Sequence, residues 1–305
     1  MSRVTPNLRA ALASVGVALS LLMLKAYAAW ITGSVAMLGS LADTGLDLVA
    51  SLGTLWGVHV ASAPPDRQHR FGHGKAEAIA ALFQVVLIAV SAIGIAARAI
   101  SRLLSGETTA NAEYGIGVSI VALVLTLGLL SYQRRVIART GSIAIRADNV
   151  HFQSDLLLNY SVIAALVLDQ HAGLAGADPL FGIGIAAWLL WGAWRASSAA
   201  IDQLMDKEWP EEKRRAFIAI ASQHPELKGI HDLRTRTSGS HDFVQFHVWV
   251  DPRMTVAEAH RVMDEVEARL AVAFPGTEIL IHPDPEGHSD VGKTLPRELV
   301  EREVP

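Results

Sequence analysis

The chain has 305 residues, of which 51% are hydrophobic and 18% are charged, whereas soluble domains average about 25% charged residues. The net charge of −4 and the high apolar content exclude a disordered, a collagen-like or a nucleic-acid-binding protein. The sequence contains no cysteine, which excludes disulfide frameworks, cysteine-based zinc fingers, iron–sulfur ligation and thiol nucleophiles, and it contains twelve histidines.

Long apolar segments lie between residues 10 and 204, and each is long enough to cross a bilayer, which takes about 20 residues. Frequent Ala and Gly among the Leu, Ile and Val favour close packing of membrane helices. A soluble helical bundle would need more polar faces than these segments offer, and a signal peptide would need a shorter segment with a cleavage site. The predicted spans are roughly 10–32, 34–62, 76–102, 113–133, 144–168 and 178–200.

Basic residues alternate between the connecting segments as six spans require. The N-terminus, the second loop and the fourth loop are rich in Arg and Lys, the first loop is uncharged, and the fifth has acids without Lys or Arg. Since Lys and Arg concentrate on the cytoplasmic side, both termini are predicted to face the cytoplasm. The six-helix membrane domain is predicted to cover residues 1–206.

From about Lys207 the sequence becomes polar and its hydrophobic pattern changes. Alternation of apolar and polar residues predicts strands, and Thr255 with Glu258 predicts a capping box. The order αββαβ predicts a small α+β domain over 207–287, followed by a flexible tail over 288–305. The predicted elements are a helix over 210–223, strands over 232–237 and 243–251, a helix over 255–274 and a strand over 278–282.

Charged residues inside two predicted spans form the first candidate metal site. Asp43 and Asp47 lie in the second span, and His151 and Asp155 lie in the fifth. The spacing of four residues puts both members of each pair on one helix face, one turn apart. An ionised Asp at the bilayer centre costs about 2.5–3.5 kcal/mol on insertion scales, so these groups need a shared compensating partner.

A divalent cation is the simplest such partner. Three carboxylates and one imidazole make a four-coordinate oxygen and nitrogen site, which suits zinc. The alternative is that these groups pair with Lys25 or Arg98, or line a hydrated cavity. Asp148, one turn before His151, either supports that histidine or lies at the helix interface.

Two more groups of residues are candidate metal ligands. Asp66, His69 and His73 lie close together in the second loop, where the alternative is a set of solvated histidines. The C-terminal region carries seven of the twelve histidines, which suggests a metal cluster of four or five members. The seven histidines are His224, His231, His241, His247, His260, His282 and His288. Asp284 follows His282 by two residues.

With these motifs the chain resembles the cation diffusion facilitators, a family of proton-coupled divalent-metal exporters, and most closely their bacterial zinc and iron efflux branch. The resemblance covers roughly residues 10–286. It rests on Gly33-Ser34, Asp43 with Asp47, Phe71-Gly72-His73-Gly74-Lys75-Ala76-Glu77, His151-Phe152-Gln153-Ser154-Asp155, Arg234-Thr235-Arg236 and Ile281-His282-Pro283-Asp284-Pro285.

The resemblance implies a homodimer of six-helix protomers in the bacterial inner membrane, each with a cytoplasmic metallochaperone-like domain. It implies an interlock between Lys75 and Asp206. Pro283 stands where close relatives have a side chain able to bind or support the metal, which predicts a weaker second cytoplasmic metal. The implied sites are a transport site for Zn²⁺ and Cd²⁺ (Asp43, Asp47, His151, Asp155), a loop site (Asp66, His69, His73) and a binuclear cytoplasmic site (His231, His247, His260, His282, Asp284).

The expected function is zinc–proton antiport by alternating access, with the lipid bilayer, divalent metals and protons as partners and without nucleic acid. His151 is the expected proton carrier, because imidazole titrates nearest neutral pH. Two alternatives are an exporter of Fe²⁺, Co²⁺ or Mn²⁺ and a non-transporting metal-sensing partner subunit. An enzyme is not expected, since an intramembrane metallohydrolase of the His-Glu-x-x-His type would need a motif that the sequence lacks.

Overall fold

The computed structural model describes residues 5–32, 35–105, 116–172 and 177–287, which form two compact units. The first unit, Met1–Ile201, is helical, and the second, Asp202–Pro305, combines helices with a small sheet. The division falls close to the change in composition near Lys207, and the predicted domain ranges stay predictions. Gly33-Ser34, His288 and the predicted tail lie outside the described residues.

Long helices make up the first unit, and each corresponds to one predicted span. The fourth continues beyond its predicted end at 133 through Arg134 and Arg135, because the helix outlasts its apolar stretch. In chain order the helices are α1 (Pro6–Thr32), α2 (Val35–Ala61), α3 (Ala76–Ser105), α4 (Ile116–Thr140), α5 (Ile143–Ala172) and α6 (Ala177–Leu204).

Among the described residues, three helical segments are long and apolar enough to cross a membrane: Pro6–Ile31, Ala76–Ser105 and Ile120–Thr140. In α5, polar residues such as Asn149 and Gln153 interrupt the apolar pattern. The first unit is thus a helical domain with candidate membrane spans. A total of six spans and the cytoplasmic location of both termini stay predictions.

Small residues let the helices approach one another closely. α1 packs against α2 and α4, and α3 packs against α2 and α5. Buried alanines are frequent at these contacts, among them Ala10, Ala80 and Ala144. At Gly57 of α2, an added β-carbon would overlap the Cβ of Ala80 in α3, so this contact requires glycine. Close packing of this kind is a main source of helix association in lipid.

Glu77, in the first turn of α3, is a buried carboxylate that joins three helices. Asn7 Nδ2 of α1 donates a hydrogen bond to its Oε1 at 3.0 Å, and Ser142 Oγ donates to its Oε2 at 2.6 Å. The backbone N–H groups of Ile143 and Ala144 also donate to it. Glu77 therefore caps the N-terminus of α5, where a helix favours negative charge.

The second unit contains a three-stranded sheet with the strand order β1-β2-β3. β1 and β2 are antiparallel, whereas β2 and β3 are parallel and are connected by a helix. The predicted order αββαβ is the observed one. The elements are α7 (Glu211–Ala221), β1 (Gly229–Ser238), β2 (His241–Val250), α8 (Val256–Ala273) and β3 (Thr277–Pro285).

The alternation predicted for β2 is confirmed, since Val244, Phe246, Val248 and Val250 are buried. These side chains form one core with buried residues of α7 and α8, so both helices cover the same face of the sheet. The predicted capping box of α8 is present: Thr255 Oγ1 accepts from the backbone N–H of Glu258, and the Glu258 carboxylate accepts from the backbone N–H of Thr255.

β3 is longer than predicted, since it continues past His282 through Pro285. Pro283 and Pro285 pair with Val248 and Val250 of β2. Proline lacks a backbone N–H donor, but β3 lies at the edge of the sheet, where the nitrogen of every second residue faces away from the neighbouring strand. The edge position therefore tolerates both prolines.

The close contact between Gly57 and Ala80 can be tested by substitution. Gly57→Ala should destabilise the purified protein by about 1–3 kcal/mol, because the added methyl group overpacks the contact with Ala80. Gly94→Ala in α3 is the matched control, since a β-carbon there meets no atom of the described residues within 4 Å. Thermal unfolding in detergent should show a lower midpoint for Gly57→Ala alone. Equal midpoints would contradict the packing described.

Candidate metal sites

Asp47 of α2 and His151 and Asp155 of α5 form the helix cluster, in which one ligand atom from each residue lies within 4.8 Å of the others. His151 Nε2 lies 3.0 Å from Asp47 Oδ1. The side chains of these two residues are 6% and 19% exposed, so their contact is shielded. The spacing along α5 predicted the pairing of His151 with Asp155, and helix packing brings Asp47 to them.

The donor set of the helix cluster fits a divalent cation. Two carboxylates and one imidazole are oxygen and nitrogen donors that zinc accepts. Among the described residues, His151 Nδ1 is buried without a hydrogen-bond partner. Asp47 and Asp155 repel each other electrostatically when both are ionised, and a bound cation would offset that repulsion.

Asp43, the fourth predicted ligand, lies outside the helix cluster. Its side chain is exposed, one turn before Asp47 on α2. It nevertheless interacts electrostatically with Asp155. Its role as a ligand therefore stays a prediction.

The two basic residues considered as alternative partners differ in position. Lys25 Nζ of α1 donates a hydrogen bond to Thr44 Oγ1 of α2 at 2.6 Å, and it interacts electrostatically with Asp155. Arg98 of α3 is exposed. The positive charge of Lys25 therefore lies near the helix cluster.

Asp148 is fully buried one turn before His151, in a network of polar side chains from four helices. Gln133 Nε2 donates to Asp148 Oδ2 at 2.7 Å and to Ser14 Oγ at 3.0 Å, and Asn149 Nδ2 donates to Gln133 Oε1 at 2.9 Å. Ser14, Gln84 and Gln133 were not predictable as members of this network, because one polar residue in an apolar helix does not reveal which way its side chain points. The network comprises Ser14, Gln84, Gln133, Asp148 and Asn149.

Asp66, His69 and His73 form the loop cluster, in which one ligand atom from each residue also lies within 4.8 Å of the others. His73 Nε2 lies 3.4 Å from Asp66 Oδ2 and 3.1 Å from His69 Nδ1. Asp66 Oδ1 accepts hydrogen bonds from the backbone N–H groups of His69 and Gln68, which lower the pKa of Asp66. The carboxylate is thereby kept in the ionised form that metal binding requires.

His231, His247 and Asp284 form the sheet cluster, in which one ligand atom from each residue lies within 4.8 Å of the others. The strand register places His231, His247 and His282 in one row across β1, β2 and β3. Asp284 lies two residues after His282, hence on the same face of β3. The sheet register, which sequence spacing does not reveal, therefore brings these four residues together.

Asp284 is the central member of the sheet cluster. Its Oδ2 lies 2.8 Å from His247 Nδ1 and 3.1 Å from His231 Nε2, and its Oδ1 lies 3.3 Å from His282 Nε2. Burial opposes ionisation of Asp284, but the contacts with His247 and His282 outweigh it and lower its pKa. Burial lowers the pKa of His231, which favours the neutral, metal-binding imidazole. His231 Nδ1 is buried without a partner among the described residues, so this set also fits a metal ion.

The other histidines of the second unit lie apart from the sheet cluster. His260 is exposed on α8, with its Nδ1 3.6 Å from Asp264 Oδ1. His224 is buried and contacts Glu265 at 3.0 Å, and His241 is exposed at the start of β2. A role for His260 as a ligand stays a prediction, as does the interlock of Lys75 with Asp206, which would join the two units.

Comparison with known proteins covers both units of the chain. The family model described as the cation efflux transmembrane domain matches residues 11–205, and the model described as the cation efflux protein cytoplasmic domain matches residues 209–286. The solved structure of CzrB in its Zn form is 38% identical and covers 28% of this chain and 97% of that one, with a TM-score of 0.27.

Curated relatives match along most of the sequence. The cation-efflux pump FieF of Cronobacter sakazakii is 42% identical over 277 residues, covering 91% of this chain and 92% of that protein. FieF of Pectobacterium atrosepticum is 42% identical over 276 residues, covering 90% of this chain and 92% of that protein.

Because Asp284 contacts three histidines, its removal tests the sheet cluster. Asp284→Ala should weaken Zn²⁺ binding at this cluster at least about tenfold. His241→Ala, which removes an exposed histidine outside the cluster, should leave binding unchanged. Equilibrium dialysis of the purified full-length protein with Zn²⁺ measures both. The same zinc content for Asp284→Ala and the unmodified protein would refute the site.

Proposed function

This chain belongs to the cation efflux family, and from that membership we propose that it exports Zn²⁺ across the bacterial inner membrane in exchange for protons. The convergence of Asp47, His151 and Asp155 from two helices supports the proposal most directly. Three ionisable groups at one point inside a helical membrane domain are costly to bury, and such groups mark ion pathways. With Asp43 from the same face of α2, they make the proposed transport site.

Proton coupling follows from the chemistry of the proposed ligands. Carboxylate and imidazole bind a metal in their deprotonated forms, so protonation of the site from one side of the membrane releases the cargo there. His151 is the proposed proton carrier, since its imidazole contacts Asp47 directly and imidazole is the side chain whose ordinary pKa lies nearest neutral pH. Alternating access would expose the site first to the cytoplasm and then to the outside.

Coupling to protons offsets much of the electrical work of export. Moving one charge against 100 mV costs about 2.3 kcal/mol, so Zn²⁺ leaving alone costs about twice that. One proton entering in exchange halves the electrical cost. Each unit of pH difference contributes about 1.4 kcal/mol more.

The loop and sheet clusters are proposed as accessory metal sites of a homodimer. The loop cluster lies directly before α3, where it would receive metal near the membrane domain. The sheet cluster, with His282 and His260, would bind a regulatory Zn²⁺ or Cd²⁺. A regulatory ion biases transport by its difference in affinity for the two states of the transporter.

Removing one carboxylate of the helix cluster tests the transport site. Asp155→Ala should abolish Zn²⁺ flux into proteoliposomes under an imposed pH gradient, because a cation then loses a charged ligand. Asp251→Ala, a solvent-facing acid of the second unit, is the control and should transport normally. Near-normal flux in a folded Asp155→Ala protein would exclude this site.

Replacing the imidazole tests metal selectivity. His151→Asp should shift preference from Zn²⁺ toward Mn²⁺, since an all-oxygen site favours harder cations. Competition flux with Zn²⁺, Cd²⁺, Fe²⁺ and Mn²⁺ under the same pH gradient measures the change. An unchanged preference for Zn²⁺ over Mn²⁺ in His151→Asp would show that His151 is not the selectivity residue. A preference of the unmodified protein for Fe²⁺ would show that the proposed cargo is wrong.

A further inference from the structure

Lys25 is a basic residue within the apolar helix α1, and its ammonium group is held at the junction with α2. Its Nζ donates a hydrogen bond to Thr44 Oγ1 at 2.6 Å, and Thr44 is 1% exposed. Thr44 lies three residues before Asp47, so the two side chains share a face of α2. The positive charge of Lys25 is therefore anchored close to a member of the helix cluster.

The same ammonium group acts on the second helix of the cluster. Lys25 and Asp155 attract each other electrostatically, so the charge reaches the α5 side as well. α1 contacts both α2 and α5, which places the three helices side by side. In a protein interior the effective dielectric constant is well below that of water, and such interactions are correspondingly stronger.

We propose that Lys25 is a built-in counter-charge that weakens cation binding at the helix cluster and so allows the cargo to leave. The inference rests on the proposed transport site. With a neutral histidine, the carboxylates of Asp43, Asp47 and Asp155 and one ammonium leave a formal charge of about −2. A divalent ion neutralises that charge, whereas without Lys25 the site would stay negative after loading and would hold the ion more tightly.

A purely structural role for Lys25 predicts the opposite result. If its hydrogen bond to Thr44 served only to join α1 to α2, removing the ammonium would loosen the helices and weaken metal binding. If Lys25 acts as a counter-charge, removing its charge strengthens binding. The sign of the change in affinity therefore distinguishes the two roles.

The decisive variant is Lys25→Gln, whose amide can still donate to Thr44 but carries no charge. In full-length protein carrying Asp66→Ala and Asp284→Ala, which disable the other two clusters, Lys25→Gln should bind Zn²⁺ at least tenfold more tightly by calorimetry. Flux of saturating Zn²⁺ in proteoliposomes should fall at least fivefold, because release becomes slow. Lys25→Arg keeps the charge and should match the parent in both measurements.

Unchanged or weaker binding in Lys25→Gln would overturn the proposal. Lys25→Met supplies a second neutral side chain if the glutamine variant does not fold, and the same outcomes apply. Asp155→Ala in the same background separates this inference from the proposed function. If Asp155→Ala still binds Zn²⁺, the transport site itself is wrong and the role of Lys25 falls with it. If Asp155→Ala loses binding but Lys25→Gln gains none, the inference about Lys25 alone fails.

Discussion

A carboxylate inside a membrane helix must be compensated, and the arrangement of the first unit follows from this constraint. Glu77 and Asp148 are compensated by neutral donors from other helices, chiefly Asn7, Ser142 and Gln133. Asp47 and Asp155 instead have the imidazole of His151 and the ammonium group of Lys25 near them. Acids held by neutral donors stabilise the bundle, whereas acids held by charges can exchange one partner for another.

The stabilising acids also determine where the exchangeable ones lie. Glu77 accepts hydrogen bonds at the N-terminus of α5, and Asp148 joins α5 to α1, α3 and α4 one turn before His151. The segment of α5 that carries His151 and Asp155 is thus held on its N-terminal side by contacts that involve neither residue. Gly57 lets α2 lie close against α3, and α2 also contacts α5.

The sequence predicted the parts of the sites that depend on local spacing. Asp47, His151 and Asp155 were identified because two residues four apart in a helix share a face, and the alternation in β2 located His247 beside its core residues. The exposure of Asp43 was not predictable, because the rotation of α2 is set by packing against other helices. The link from Ser14 to Gln133 spans 119 residues, and nothing local signals it. The grouping of His231 with Asp284 likewise depends on the sheet register.

The prolines of β3 favour the observed strand register over a register shifted by one residue. Glu286 donates a hydrogen bond from its backbone N–H to the carbonyl oxygen of Val250, so the even-numbered residues of β3 direct their N–H groups toward β2. Pro283 and Pro285 occupy odd-numbered positions, where the backbone nitrogen faces away from β2. A slip of one residue would turn both prolines toward β2, with the loss of two interstrand hydrogen bonds, and would turn His282 and Asp284 to the core face. The two prolines thus favour the register that forms the sheet cluster, because the shifted strand would lose hydrogen bonds and would also bury polar side chains against the core.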